Sequence, residues 1–251
     1  MQVKTYKTRV FIEGEDLPNF IFKYVKNLKE GSVLVVTSKI IALAEGRVVE
    51  MDSKVLPALF RERLIKKESQ FALQTKRTWL TIKDGMVMAS AGIDESNADG
   101  KIILLPKDSF KSAEVIRRAM MKKFKIKKLG VLVTDSRLFP LRAGIVGVAL
   151  GYAGFKGMKD YRGTPDIFGR VLKVSRTDIA DSLATSAVVC MGEGKERQPL
   201  AVITDAPVEF INKVNKKELL VDPREDIYQP LFASINKIKK IKKMKFKSWD
   251  K

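Results

Sequence analysis

The chain has a single cysteine, Cys190, and no histidine. One thiol makes no intramolecular disulfide, and without imidazole the common zinc sites cannot be assembled. A fold of 251 residues must then be held by burial of an apolar core, which a chain of this length can supply without staples. Hydrophobic residues at 45% and charged residues at 31% place it with globular rather than disordered chains. The same two counts remove Ser-His-Asp and Cys-His catalysis, HExxH zinc sites and any histidine proton relay. Any metal must be bound by oxygen, which favours Mg2+, Mn2+ or Ca2+. Cys190, in an apolar run with nothing to activate it, reads as a buried structural thiol.

The charge is strongly positive, +19, and uneven. Residues 235–251 hold eight lysines against one aspartate. Ile235, Ile238, Ile241 and Met244 recur every third position there, which suits one apolar stripe on a basic helix. Base readout or stacking would want arginines and aromatics among the lysines, so nucleic acid is not the expected partner. A positive field also steers polyanionic small molecules. The start, Met1–Val10, is polar and basic with no apolar run behind it, unlike a signal peptide. The longest uncharged stretch, Ala143–Phe155, is too short for a membrane span of about 20 residues. A cytoplasmic protein with no membrane partner is expected.

Apolar periodicity gives a coarse map. Ser32–Thr37 is a compact β-branched run and reads as a buried strand. Residues 52–74 have helical spacing, with Pro57 near the first turn. Gly85–Ala91, Leu129–Thr134 and Pro199–Thr204 read as strands, the second ending at Asp135. A helix is expected over 108–124 with Asp108 or Ser109 as cap. Another is expected over 177–191 with Thr177 as cap and Gly192 as stop. Strands and helices mix without strict alternation, which predicts an α+β fold with mixed sheets and packed helices.

Three acids stand at the ends of apolar segments: Asp94 in AlaGlyIleAspGluSerAsn, Asp135 in ValLeuValThrAspSer and Glu193 in MetGlyGluGlyLysGluArg. An acid at a strand end can aim its carboxylate into a crevice. Neutral oxygens follow, Asn97 after Asp94 and Ser136 after Asp135. Converging loops of this kind make a hard-cation site; singly, each acid is an ordinary turn or cap residue. Neither GxxxxGK[ST] nor a GxGxxG between strand and helix is present. In residues 191–198, Lys195 and Arg197 could meet phosphates, although a plain glycine C-cap serves as well. Glycines at 144, 147, 151, 154 and 157 allow close backbone approach, to a packed element or to a ligand. Asp160, Arg162, Asp166 and Arg170 could clamp an anion or hold a loop together.

In order along the chain, the segment from Ser32 to Arg47, AlaGlyIleAspGluSerAsn, ThrAspSer, GlyValAlaLeuGlyTyrAlaGly, AspTyrArgGly with PheGlyArg, AlaAspSerLeuAla and MetGlyGlu resemble the coenzyme F420:L-glutamate ligase family. The match runs from about Gly31 to Ile203. The resemblance implies a GTP-dependent ligase that uses Mg2+ or Mn2+ and a monovalent cation such as K+, built as a homodimer of two-lobed α+β subunits. Such an enzyme activates a carboxylate as an acyl phosphate, which the amine of L-glutamate then attacks. By position, Asp94 and Asp135 become catalytic metal ligands, Ser136 stands where the family has a threonine ligand, and Glu193 becomes a ligand of a second metal. Ser38, Lys39, Asn97 and the segment Met191, Gly192, Glu193, Gly194, Lys195, Glu196, Arg197 and Gln198 become nucleotide contacts. One ligase-like domain over 1–234, with room for two interleaved lobes, and a lysine-rich tail over 235–251 are expected.

Two positions depart from the family. AspLeuProAsnPheIle at 16–21 stands for its LeuProGluIle-like segment, and Leu43 for a lysine. Both fall in the nucleotide region, so GTP and ATP stay open as co-substrates. The acceptor also stays open between F420-0 and a folate, with a lean to folate from these departures. The alternative from another class is an inactive ligase-like protein that binds nucleic acid. Three carboxylates in its site would repel a phosphate backbone, which favours the enzyme.

Overall fold

The computed structural model describes residues 1–232; the lysine-rich segment 235–251 lies outside them. In chain order the elements are β1 (Gln2–Tyr6), α1 (Leu17–Tyr24), β2 (Ser32–Thr37), α2 (Ser38–Ala44), β3 (Val48–Val49), α3 (Pro57–Glu68), β4 (Phe71–Gln74), β5 (Trp79–Lys83) and β6 (Met86–Ala89). Then come β7 (Ile102–Ile103), α4 (Ser109–Phe124), β8 (Leu129–Leu138), β9 (Ile145–Ala153), β10 (Met158–Asp160), β11 (Arg176–Asp178), α5 (Ile179–Met191) and β12 (Leu200–Thr204). The expected α+β class with mixed sheets is observed. Two compact units divide the described chain: 1–47 with 106–218, and 48–105 with the segment from Leu219 onward.

The first unit is organised by a five-stranded sheet in the order β1-β12-β2-β8-β9. Strand β2 is its apolar centre: Val33, Leu34, Val35 and Val36 are fully buried, as a strand covered on both faces requires. Strands β2 and β8 run parallel, from Ser32 opposite Leu129 to Thr37 opposite Thr134; the other pairs are antiparallel. Helix α1 starts at Asp16, whose carboxylate accepts from the Asn19 N–H at 2.8 Å, with proline in the first turn. The departing segment 16–21 is therefore a capped helix start.

The glycines of β9 answer to packing. A Cβ at Gly147 would stand 2.5 Å from the Ala184 carbonyl oxygen of α5, and one at Gly151 would stand 2.6 Å from the Phe110 nitrogen of α4. The two helices close onto opposite faces of this strand. Their two sides are reconciled by an irregularity between Val133 and Thr134, where Thr134 pairs with Ala149 and Val133 with Gly151. The extra residue of β9 switches the side-chain alternation.

The second unit holds the antiparallel sheet β4-β5-β6 and the pair β3-β7. Leu64, Ile102 and Leu104 form one cluster of its core with Val49, Met51, Phe60 and Ile93 against them.

Four secondary-structure expectations change. The strand read over Gly85–Ala91 covers only Met86–Ala89, because Ser90 and Ala91 turn left-handed. The helix read over 52–74 covers only Pro57–Glu68; Ser69 is extended and Phe71 enters β4, because the apolar spacing of 71–74 serves a hairpin with β5. The strand read as ending at Asp135 continues to Leu138, since β9 keeps pairing with it. The cap of α5 is Asp178, not Thr177. Thr177 is engaged in β11 opposite Lys159, and the Asp178 carboxylate accepts from the Asp181 N–H at 2.9 Å.

Candidate active site

Where the parallel pairing of β2 with β8 ends, Ser38 follows Thr37 directly into α2, and Asp135 follows Thr134 within β8. The Ser38 hydroxyl, nearly fully buried, donates to Asp135 Oδ1 at 2.9 Å. Asp135 Oδ2 accepts from Nη1 of Arg137, two residues on. Side chains at i and i+2 of a strand share one face, so β8 presents a carboxylate and a guanidinium side by side. Arg137 Nη1 also donates to the Ser136 carbonyl at 2.9 Å. Only 7% of the Arg137 side chain is exposed, and its Nε and Nη2 are buried without a hydrogen-bond partner.

Ser136 points to the other face, and its hydroxyl donates to Glu193 Oε1 at 2.6 Å. Glu193 sits on the exposed turn after α5. Gly192, at φ +80°, ends that helix with its N–H on the Val188 carbonyl at 2.9 Å. The turn is tied down locally. The Gly194 N–H donates to Glu196 Oε2 at 2.7 Å, and the Arg197 carbonyl accepts from the Thr8 N–H at 2.8 Å. Gln198 accepts from the Thr5 hydroxyl and donates to the Met191 carbonyl at 3.2 Å. The Met191 side chain is buried in the core, whereas Lys195 is exposed and Lys39 is half-buried.

Asp94 and Asn97 belong to the second unit. Asp94 pairs through its backbone with Ile103, both bonds at 2.9 Å, and its Oδ1 accepts from the Ser96 N–H at 2.7 Å. Before it, Ser90, Ala91 and Gly92 have φ of 48°, 57° and 70°. Two non-glycine residues in the left-handed region cost of order 1–3 kcal/mol each. The Ala91 N–H is caught by the buried Thr81 hydroxyl at 2.8 Å, which helps hold this bend. Asn97 is exposed, with φ at 49°. Glu95, beside Asp94, is held by Arg61 through two hydrogen bonds, and that partner lowers its pKa.

Several groups escaped sequence reading. Arg137 is one; another is the half-buried pair Asp178 and Asp181. Asp178 caps α5, and Asp181 Oδ1 accepts from the Ala149 N–H at 2.8 Å, beside the irregularity in β9. Burial first, then the charge of Asp181, pushes Asp178 up to about 7, and burial likewise raises Asp181. Tyr152 is a third: its hydroxyl donates to Glu218 Oε1 at 2.5 Å, an oxygen that also receives the Gly157 N–H at 2.7 Å. Burial and that carboxylate raise the phenol's pKa.

The anion clamp allowed for at 160–170 is a local network: Arg162 donates to Asp160, and Asp166 accepts the N–H groups of Phe168 and Arg170. Cys190 corrects an expectation, for it is exposed. Helix α5 buries Ala187, Val188 and Met191 and turns the two residues between outward.

The side chains of Ser38, Asp135, Ser136 and Glu193 offer only oxygens, the set a hard divalent cation takes, with the Arg137 guanidinium beside Asp135. Among the described residues no group of three or more Asp, Glu, His or Cys side chains stands together as a metal cluster. The pairings Ser38–Asp135 and Ser136–Glu193 instead offer two separate starting points. None of the described helices is long and apolar enough to cross a membrane.

Comparison with known proteins agrees with the resemblance read from the motifs. A family model described as F420-0:Gamma-glutamyl ligase matches residues 6–205. Coenzyme F420:L-glutamate ligase of Methanocaldococcus jannaschii is 34% identical over 244 residues, 88% of this chain and 96% of that protein. The protein of the same name from Archaeoglobus fulgidus is 35% identical, covering 76% of this chain and 82% of its own length. A Methanococcus maripaludis protein of that name reaches 44% identity over 147 residues, 59% of this chain and 58% of that protein.

Proposed function

From membership of the F420-0:gamma-glutamyl ligase family, to which this chain belongs, we propose that it joins L-glutamate to coenzyme F420-0 through an amide between a carboxylate of F420-0 and the glutamate amine. The observation that carries this reading is the near full-length similarity to relatives named for that reaction. The oxygen donors of Ser38 after β2, of Asp135 and Ser136 within β8 and of Glu193 after α5 support the chemistry. A nucleoside triphosphate, GTP or ATP, transfers its terminal phosphoryl group to the acceptor carboxylate. The glutamate amine attacks the acyl phosphate, the amide forms, and inorganic phosphate leaves. Phosphoryl transfer depends on charge neutralisation and positioning more than on a base, which suits a chain without histidine.

In this reading Asp135, Ser136 and Glu193 hold divalent cations, Mg2+ or Mn2+, which neutralise phosphate charge when bound. K+ is the proposed monovalent cation. Asp94 is assigned the same kind of ligand role, and Ser38 orients the Asp135 carboxylate. Lys39, Asn97 and the turn from Met191 to Gln198 are assigned to the nucleotide, and a homodimer is proposed as the working assembly. The names of the relatives favour F420-0 over a folate as acceptor, and they do not favour an inactive nucleic-acid binder.

The test is direct. The protein is incubated with Mg2+ or Mn2+, GTP or ATP, L-glutamate, and either F420-0 or tetrahydrofolate. A mass gain of one glutamyl unit on F420-0, with nucleoside diphosphate formed only when both substrates are present, is the expected result. A gain on tetrahydrofolate alone would move the acceptor assignment. No gain on either, with a folded protein, would end the ligase reading. Glu193→Gln should cut turnover by about 100-fold or more with little change in thermal stability, since Glu193 is exposed.

A further inference from the structure

We propose that Arg137 is a resident counter-ion of Asp135 that yields this carboxylate to an incoming divalent cation and turns to the phosphates arriving with it. The proposal rests on the metal- and nucleotide-dependent reading above and adds an exchange of partners within it.

Both oxygens of Asp135 are engaged: Oδ1 by the Ser38 hydroxyl at 2.9 Å and Oδ2 by Arg137 Nη1. A divalent cation binds carboxylate oxygens at about 2.0–2.6 Å. At Oδ2 it would meet a guanidinium nitrogen already within hydrogen-bonding distance. Two like charges on one oxygen repel strongly in a partly buried setting, so cation and guanidinium exclude each other there. Ser38 does not compete in this way, because a hydroxyl can give its proton elsewhere and still face the carboxylate.

The present seat of Arg137 is also incomplete. Its Nη1 is satisfied by Asp135 and by the Ser136 carbonyl at 2.9 Å, but Nε and Nη2 are buried with no partner. Buried polar groups are normally paired, and a charged donor left unpaired is costlier than a neutral one. The two idle donors lie on the Nε–Nη2 edge of the guanidinium, the fork geometry that takes phosphate oxygens two at a time. A metal–nucleotide complex brings both things this arrangement lacks: a cation to replace the guanidinium at Asp135 and an anion to satisfy it. Free cation brings only the first, and displacing Arg137 from Asp135 would then leave the guanidinium with no hydrogen-bonded anion, since Asp181 acts on it only through its charge. The arrangement thus selects the complex over the bare metal and holds the carboxylate neutralised until the complex arrives.

Replacing Arg137 should move two affinities in opposite directions. Mn2+ alone, followed by electron paramagnetic resonance, should bind Arg137→Met at least about tenfold more tightly than wild type. GTP or ATP at saturating Mg2+, followed by calorimetry, should bind that variant at least about tenfold more weakly. Arg137→Lys keeps the charge and loses the fork. It should leave bare Mn2+ as weak as in wild type and still weaken the nucleotide. On the wild-type protein, the Arg137 Nε–H resonance should shift on adding Mg2+ with nucleotide, and not with Mg2+ alone. That measurement stands even where Arg137→Met fails to fold.

A merely structural arginine would weaken both ligands together in Arg137→Met; that result, or no change in either, overturns the exchange. So does an Nε–H resonance indifferent to the Mg2+–nucleotide complex. Those outcomes leave the nucleotide reading intact as long as wild type binds. A wild-type protein with no Mg2+-dependent nucleotide affinity overturns the reading and the exchange together.

Discussion

Asp178→Asn should make the protein more stable at pH 8 than the wild type, and should bring little gain at pH 4. Asp178 caps α5 by accepting the Asp181 N–H at 2.9 Å, and asparagine caps a helix about as well as aspartate. The substitution therefore keeps the cap and removes only an ionisable group. Burial and the neighbouring Asp181 raise the Asp178 pKa from 3.8 to about 7 in the folded protein. The folded state thus holds a proton between about pH 4 and pH 7 that the unfolded chain has released. Stability conferred by that retained proton is full below about pH 4 and is lost as pH rises towards 7. Above pH 7 the folded state carries the whole cost of an ionised carboxylate beside a second one. A lift of this size sets an upper bound of about 4 kcal/mol. Partial exposure and sharing of the proton with Asp181 bring the expected gain to about 1–2 kcal/mol. Urea unfolding of both proteins at pH 4, 6 and 8 reads it as a difference in midpoint at constant slope. A variant equally destabilised at all three pH values would refute the reasoning, because it would show Asp178 acting only through its cap.

Gly151→Ala should cost about 1–3 kcal/mol, since its Cβ would stand 2.6 Å from the Phe110 backbone nitrogen at the start of α4, where no side chain can swing away; a thermal melt unchanged from wild type would contradict this. Cys190, exposed on α5, should react with a thiol reagent in the native protein to one equivalent, at a rate little changed by denaturant. Protection of the native thiol would show that this face of α5 is covered in solution.

What the sequence made legible was whatever depended on local pattern. The β-branched run 32–37 became β2 with its centre fully buried, and Asp108 became the cap of α4, its carboxylate on the Lys111 N–H at 2.9 Å. Gly192 stopped α5 as expected. The misreadings came where pairing outweighed pattern. ThrAspSerArgLeu looks like the exit of a strand because it turns polar, yet β9 carries the ladder on to Leu138. Phe71 fits a helical stripe, but it sits in a hairpin. Cys190 was judged by its apolar neighbours, and only the phase of α5 shows that Val189, 79% exposed, and Cys190 face outward. At the site the acids could be nominated from their positions, because a carboxylate after an apolar run is visible in one dimension. Their partners could not. Ser38 and Asp135 lie 97 residues apart and Ser136 and Glu193 lie 57 apart; the β2–β8 pairing joins the first two, and the packing of α5 on the sheet joins the others.

Arg137 shows how a single strand extension changes the chemistry of a site. Had β8 ended at Asp135, the residue two positions on would have been a loop side chain free to leave for water. Because the ladder continues, with Arg137 opposite Val146, the residue is anchored on the face of Asp135, with its side chain kept from solvent. A carboxylate assigned to bind a cation is thereby given a competitor that cannot diffuse away. Such a site without its ligands need not bear the repulsion of bare negative charge, which is the usual cost of holding acids ready for a metal. The same neutralisation must be undone before a metal can bind, so the free energy to undo it has to come from the ligand that accompanies the metal. A chain with no histidine has no imidazole with which to time its chemistry near neutrality. An arginine never loses its proton, so the timing falls instead to which anion it holds.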